Sequence, residues 1–142
     1  MKSYKCPICN FDLWHPIARF KTSTLGLHAD ARYPGRCILV YNQGHIEDLA
    51  DLHEPALQTF MQDLQKAARA IQKATGANRM NYCFLGNTVA HLHAHIIPRV
   101  WADDPVPKLP IWEHPDKQTW LPQDRIDELV ASIRLALTEK KA

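Results

Sequence analysis

The sequence has no apolar run approaching the roughly 18 residues a membrane span needs. Its opening Met-Lys-Ser-Tyr-Lys is not followed by the apolar core of a secretory signal. No run of five or more like charges occurs, and 17 basic against 15 acidic residues leave a formal charge of only +2. A surface that holds a nucleic-acid polymer needs more positive charge than this. These absences argue against membrane and nucleic-acid partners and lead to the expectation of a cytoplasmic protein. Cysteine is scarce: Cys6, Cys9, Cys37 and Cys83, with one CxxC and no second. In a reducing compartment such residues are ligands or core thiols rather than disulfides. Internal repeats and low-complexity segments are absent too. What remains is globular, with 46% hydrophobic and 23% charged residues among 142. That length suits a single domain, 1–142, burying about two-thirds of its unfolded surface.

Residues 1–20 combine the CxxC with aromatics and two prolines (Pro7 and Pro16), and read as an irregular segment pinned to the body. A strand is expected within Thr22–Arg32. Pro34-Gly35 is a turn signal, and Arg36–Tyr41 after it is an apolar, β-branched run that reads as a buried strand. Leu57, Phe60, Met61, Leu64, Ala68 and Ile71 follow helical spacing behind Pro55, and Gly76 supplies the stop. Asn81–Leu85 and Val89–Ile97 read as strands around a Gly86-Asn87 turn, with Pro98 ending the second or placing it at an edge. Five of the ten prolines and three of the four tryptophans fall in 101–122, which reads as an extended loop. A second amphipathic helix is expected at about 123–138, with Ile126, Leu129, Val130, Ile133 and Leu137 on its apolar face. The fold class is α+β.

The chemistry concentrates in His91-Leu92-His93-Ala94-His95-Ile96-Ile97, which holds three of the eight histidines. On a strand, alternate side chains share a face, so the three imidazoles stand together while Leu92, Ala94 and Ile96 face the core. On a helix one ring would be stranded among apolar side chains. Histidine titrates near neutrality, so such a group can act as nucleophile, acid, base or metal ligand. A solvent-facing polar strand is the bland alternative. His15, His28, His53 and His114 are scattered and read as surface or capping residues, and Cys37 and Cys83 as core thiols. Trp101, Trp112 and Trp120 could line a base pocket, but loop packing is the simpler reading.

This run resembles the His-x-His-x-His-apolar-apolar signature of the histidine triad (HIT) superfamily. Asn81–Thr88 resembles that family's approach to the triad, Pro98-Arg99 its exit, and Asp30–His45 its nucleoside-side strands. The likeness covers roughly residues 25–100 and is greatest to bacterial diadenosine tetraphosphate hydrolase-like proteins. It implies an antiparallel sheet with a long helix and a C-terminal helix. It also implies an enzyme that attacks the α-phosphorus of a nucleotide conjugate or dinucleoside polyphosphate, cleaving a phosphoric anhydride or phosphoramidate bond. His93 would be the nucleophile, forming a nucleotidyl-histidine, and His95 would bond a phosphoryl oxygen or the leaving group. Asn81, Asn87 and Thr88 would contact phosphate, and Asp30 the ribose hydroxyls. A nucleotidyltransferase and a non-catalytic nucleotide-binding module are the alternatives. Cys6-Pro7-Ile8-Cys9 is half a tetrahedral zinc site; the resemblance points to His45 and His91 as the other ligands of a structural zinc. A redox pair and two unliganded thiols are the competing readings. The resemblance implies no organic cofactor, and it implies a homodimer joined through the long helix and an adjacent strand.

Overall fold

The structure, a computed structural model, describes residues 2–139. Strands β1 (Pro16–Arg19) and β2 (Ser23–Leu27) form a hairpin, and β3 (Cys37–Tyr41) follows the Pro34-Gly35 turn. Helix α1 (Ala56–Thr75) leads to β4 (Arg79–Cys83) and β5 (His93–Arg99), and α2 (Gln123–Thr138) closes the described chain. The strands form one antiparallel sheet in the order β1-β2-β3-β5-β4. This is the α+β architecture expected, with β4 at one edge.

Register decides which face each residue occupies. Leu25 pairs with Leu39, which pairs with Ala94; Leu27 pairs with Cys37, which pairs with Ile96. Opposed residues share a face, so these six make one apolar surface, and all are buried. Phe60, Leu64 and Ile71 of α1 and Ile126, Leu129 and Ile133 of α2 complete the core against them. Each such side chain contributes roughly 1.5–3 kcal/mol by leaving water. Helix α1 ends where expected, at Gly76, whose left-handed φ of 70° favours glycine. Buried Asp63 ties α1 to the β1–β2 turn: its Oδ2 accepts from the Thr22 amide, the Thr22 hydroxyl and the Ser23 hydroxyl.

Four boundaries differ from expectation. β4 runs Arg79–Cys83 where Asn81–Leu85 was expected. β1 lies inside the segment read as irregular, because its backbone completes the hairpin with β2. β5 begins at His93 rather than Val89, so 84–92 is a loop. Pro98 is a full member of β5, an interior strand. The reason is that β5 outruns β3, whose last pair is Cys37 with Ile96. Arg99 turns its carbonyl to Asn78 on the β4 side, so Pro98 directs its missing donor to the side where β3 has ended.

The 101–122 segment is held by polar contacts. Arg99, 2% exposed, donates to Asp104, to the Asn81 side chain and to the Leu109 and Val106 carbonyls. Trp101, Trp112 and Trp120 are exposed, so loop packing does not bury them. Among the described residues no helix is long and apolar enough to cross a membrane.

Candidate active site and metal cluster

The sheet face opposite the helices carries the histidines. His93 lies opposite Val40 and His95 opposite Ile38 and Cys83. The two imidazoles stand 5.2 Å apart, ring centre to ring centre. Phe11, from the N-terminal segment, lies over both His91 and His93 at 5.7 and 5.6 Å. That segment approaches the sheet so closely at Gly26 that a Cβ there would meet the Trp14 carbonyl oxygen at 2.4 Å. Glycine is required for the approach, and the approach encloses the histidines.

Hydrogen bonds assign the two tautomers. His93 Nδ1 is 2.6 Å from the His91 carbonyl oxygen. A carbonyl only accepts, so Nδ1 carries a proton, and in the neutral imidazole Nε2 is the nitrogen with the lone pair. His95 is the opposite case: its Nδ1 lies 3.0 Å from Arg36 Nη2, a group that only donates. Its proton is therefore on Nε2. Burial, with Arg36, His93 and His28 nearby, pushes His95 down to about 3. One imidazole thus offers a lone pair and its neighbour an N–H, which suits a nucleophile beside a donor.

His28 belongs to this site and is not the surface residue expected. It follows Gly26 on the same face, packs edge-on against His95 at 6.0 Å and tilts against Trp120 at 5.5 Å. Burial and the charge of Arg36 push it down to about 4. The signal was the two-residue period continued past β2, together with Arg36, which was legible only as a strand start. Cys83 likewise sits on this face, half-buried, rather than in the core.

The expected ligand contacts are mixed. Asp30 is fully buried, and its carboxylate accepts from the Arg32 amide, the Arg32 guanidinium and Arg36. The arginines and the Arg32 amide hold it below the usual carboxylate range despite burial, which acts the other way. Both of its oxygens thus face the two arginines at the end of the histidine face. Asn81 shares the triad face but stands opposite Ile97, two residues beyond His95, and its Oδ1 accepts from Arg99 at 3.0 Å. Its place is about 7 Å along the strand from His95. Thr88 lines a cavity of about 570 Å³ with Leu13, Trp14, Leu27, His28 and Ile38. Asn87 is exposed in the same 84–92 loop, where Gly86 shares a small cleft with His93.

Cys6, Cys9, His45 and His91 converge, their ligand atoms all within 4.8 Å of one another. The CxxC turn is closed by Cys6 N–H to the Phe11 carbonyl and Asn10 N–H to the Cys6 carbonyl. Cys6 Sγ is 3.8 Å from His45 Nδ1, and Cys9 Sγ is 3.5 Å from His91 Nδ1. In a tetrahedron with Zn–S of about 2.3 Å and Zn–N of about 2.0–2.1 Å, that edge is roughly 3.6 Å. His91 Nε2 donates to the Tyr41 carbonyl at 2.8 Å, leaving Nδ1 as the free lone pair. Burial raises the Cys6 thiol, but amides of Cys9 and Ile8 and the His45 ring outweigh it and bring it to about 6. The donor set fits a tetrahedral, thiophilic cation.

Comparison with known proteins follows the same lines. The HIT domain family matches residues 15–101. A crystal structure of a histidine triad protein from Sinorhizobium meliloti is 30% identical, with TM-score 0.74 over 83% of this chain and 85% of that one. One from Bradyrhizobium japonicum is 24% identical, with TM-score 0.77 over 86% and 89%. A zinc-bound histidine triad family protein from Mycobacterium smegmatis is 22% identical, with TM-score 0.62 over 86% and 82%. No curated protein matches the chain in sequence.

Proposed function

The chain belongs to the HIT domain family, and on that premise we propose that it is a nucleotide hydrolase working through a covalent nucleotidyl-histidine. Family membership supports a nucleotide-directed function of hydrolase or transferase kind; the finer reading rests on one observation. The His91 carbonyl holds the Nδ1 proton of His93, so the Nε2 lone pair is free to attack the α-phosphorus without prior deprotonation. The His95 Nε2–H donates to the departing group. Thr88, Asn87 and amides of the 84–92 loop bond the phosphoryl oxygens, a role supported by the cleft shared by Gly86 and His93. The base occupies the apolar cavity beside Trp14 and Leu27. The substrate is a dinucleoside polyphosphate or a related nucleotide conjugate, in keeping with the diadenosine tetraphosphate hydrolase-like branch.

The same reading gives Cys6, Cys9, His45 and His91 a structural zinc, which would supply a fixed tether between the N-terminal segment and the triad. The zinc in the mycobacterial relative and the convergent donors here support it. Protein purified without chelator should carry about one zinc per chain, with metal–sulfur distances near 2.3 Å in absorption spectra. A Cys6→Ser, Cys9→Ser variant that retains equal zinc would sink this assignment. Two chains pair through α1 and the β4 edge, supported by exposed Met61, Tyr82 and Phe84 there.

The test of the activity is incubation with dinucleoside polyphosphates and nucleoside phosphoramidates, reading the nucleoside monophosphate released. His93→Ala should abolish turnover and leave nucleotide affinity within about tenfold, since the nucleophile is lost and the binding groups are kept. Undiminished turnover in that variant would refute the mechanism. Rapid quenching of the native protein should trap the nucleotidyl group on a histidine, acid-labile and base-stable.

A further inference from the structure

Arg36 touches both the buried acid and the third histidine. Its Nη1 donates to Asp30 Oδ2 at 2.9 Å, and its Nη2 donates to His95 Nδ1 at 3.0 Å. Arg36 is 8% exposed, and its guanidinium cannot turn aside without leaving Asp30. Asp30 is itself clamped by Arg32. The chain Arg32–Asp30–Arg36–His95 is therefore a fixed relay that ends on one imidazole nitrogen.

The occupied nitrogen is the one a second proton would need. The other groups facing His95 do not supply a counter-charge. His93 stands beside it on β5, His28 packs on it from the end of β2, and Cys83 lies opposite on β4. Burial raises the Cys83 thiol and keeps it neutral. Asp30 is the nearest acid in the relay, and its charge is shared between two arginines. Neutral His95 also agrees with the direction of its shift.

Resting on the reading of His93 as nucleophile, we infer that Arg36 is a specificity-determining residue, holding His95 as a neutral donor and restricting the site to leaving groups that depart as anions. Phosphoric anhydrides qualify and phosphoramidates do not. In the displacement the His93 Nε2 lone pair forms the N–P bond, and the electrons of the broken P–O bond leave on the departing phosphate oxygen. That oxyanion needs no proton. His95 Nε2–H donates a hydrogen bond to it and keeps its hydrogen. Water then takes the nucleotidyl group from His93 and gives its proton to the departed phosphate or to solvent. A phosphoramidate would leave its electrons on nitrogen, which is too basic to depart without a proton. A cationic His95 could deliver one; a neutral His95 would have to become an imidazolate.

The experiment compares a diadenosine polyphosphate with an adenosine 5′-phosphoramidate, in the full chain and in Arg36→Met, from about pH 5 to 8. The native protein should favour the anhydride in kcat/KM by about 100-fold or more, the range a missing general acid costs. Nitrogen NMR should show His95 as the neutral Nε2–H tautomer down to about pH 4. Arg36→Met frees Nδ1, so its phosphoramidate rate should rise at least about tenfold relative to the anhydride below pH 6.5, on a limb the native protein lacks. Arg36→Lys should keep the native preference if its ammonium still reaches Nδ1, which the His95 resonance reports. If Arg36→Met does not fold, the native preference and the His95 titration decide. A native preference for the phosphoramidate, or His95 protonation near its ordinary value, overturns the inference and leaves the nucleotide-hydrolase reading standing. Turnover of neither substrate overturns that reading, and the inference with it.

Discussion

Two half-buried histidines that reject a proton make stability depend on pH in a definite direction. His28 is held at about 4 and His95 at about 3, against 6.5 for a free imidazole. Below about pH 6.5 the unfolded chain takes up protons there and the folded chain does not. Stability is therefore full above that value and falls on acidification until the folded groups also protonate. Each group contributes a slope of up to about 1.4 kcal/mol per pH unit in that window. His28→Gln should flatten the decline between about pH 6 and 4.5 by up to one such increment, read from urea midpoints. All other titrating groups are common to both proteins, so the difference isolates His28; identical slopes would refute its neutral state in the folded chain. The residues differ in how far they could be read from sequence. His91, His93 and His95 are neighbours in sequence, so strand periodicity alone put them on one face. Arg36, His28 and His95 meet only through the β2–β3–β5 register, and nothing local marks Arg36 as a partner. Asp30 was legible as an acid near the site, but its two arginine partners are a matter of tertiary contact.

At the scale of elements, the helices were legible because their apolar stripes extend over several turns, and α1 also ends on a clear stop at Gly76. The short strands were less so. β1 has four residues and no alternation of its own, and it exists because β2 offers it an edge. Pro98 looked like a terminator, since sequence does not tell that the neighbouring strand stops two residues earlier. The N-terminal segment is the element with the most to show. It meets the sheet through the Cys6–Cys9–His45–His91 cluster, through Phe11 on the histidines, and through close approach at Gly26. Gly26→Val removes the third of these without touching the other two. Its side chain would strike the Trp14 carbonyl and the Leu13 side chain, and displacing backbone costs typically about 1–3 kcal/mol. The variant should lose that much stability and expose the 1–15 segment to limited proteolysis, with α1 and α2 still protected. Unchanged proteolysis at 1–15 would show that the contact is dispensable. Because Phe11 rides on that segment, nucleotide turnover should fall along with protection.

For the whole molecule the open question is what covers the β4 edge. An edge strand offers unpaired backbone groups that proteins shield or use. Here Tyr82 is 47% exposed and Phe84 36%, beside Met61 of α1 at 39%, around a cavity of about 470 Å³. Gln58, Gln62 and Gln65 on the same stretch of α1 are uncharged, so the lining of this cavity carries no charge. A two-fold pairing of β4 with its copy would place the same apolar patch on both sides and extend the sheet. The proposed dimer is of this kind, and an obligate interface should bury about 2,000 Å² or more in total. Trp120 sits at the histidine face against His28, so it is better matched to the cavity rim than to the β4 edge. Met61→Glu with Tyr82→Lys puts charge into the patch while sparing the core and the histidines. Sedimentation at micromolar concentration should give a species of about twice 16.3 kDa for the native chain, and a shift to the single-chain mass for the double variant. A native species at the single-chain mass would refute the pairing. A dimer that survives both charges would move the interface to another face.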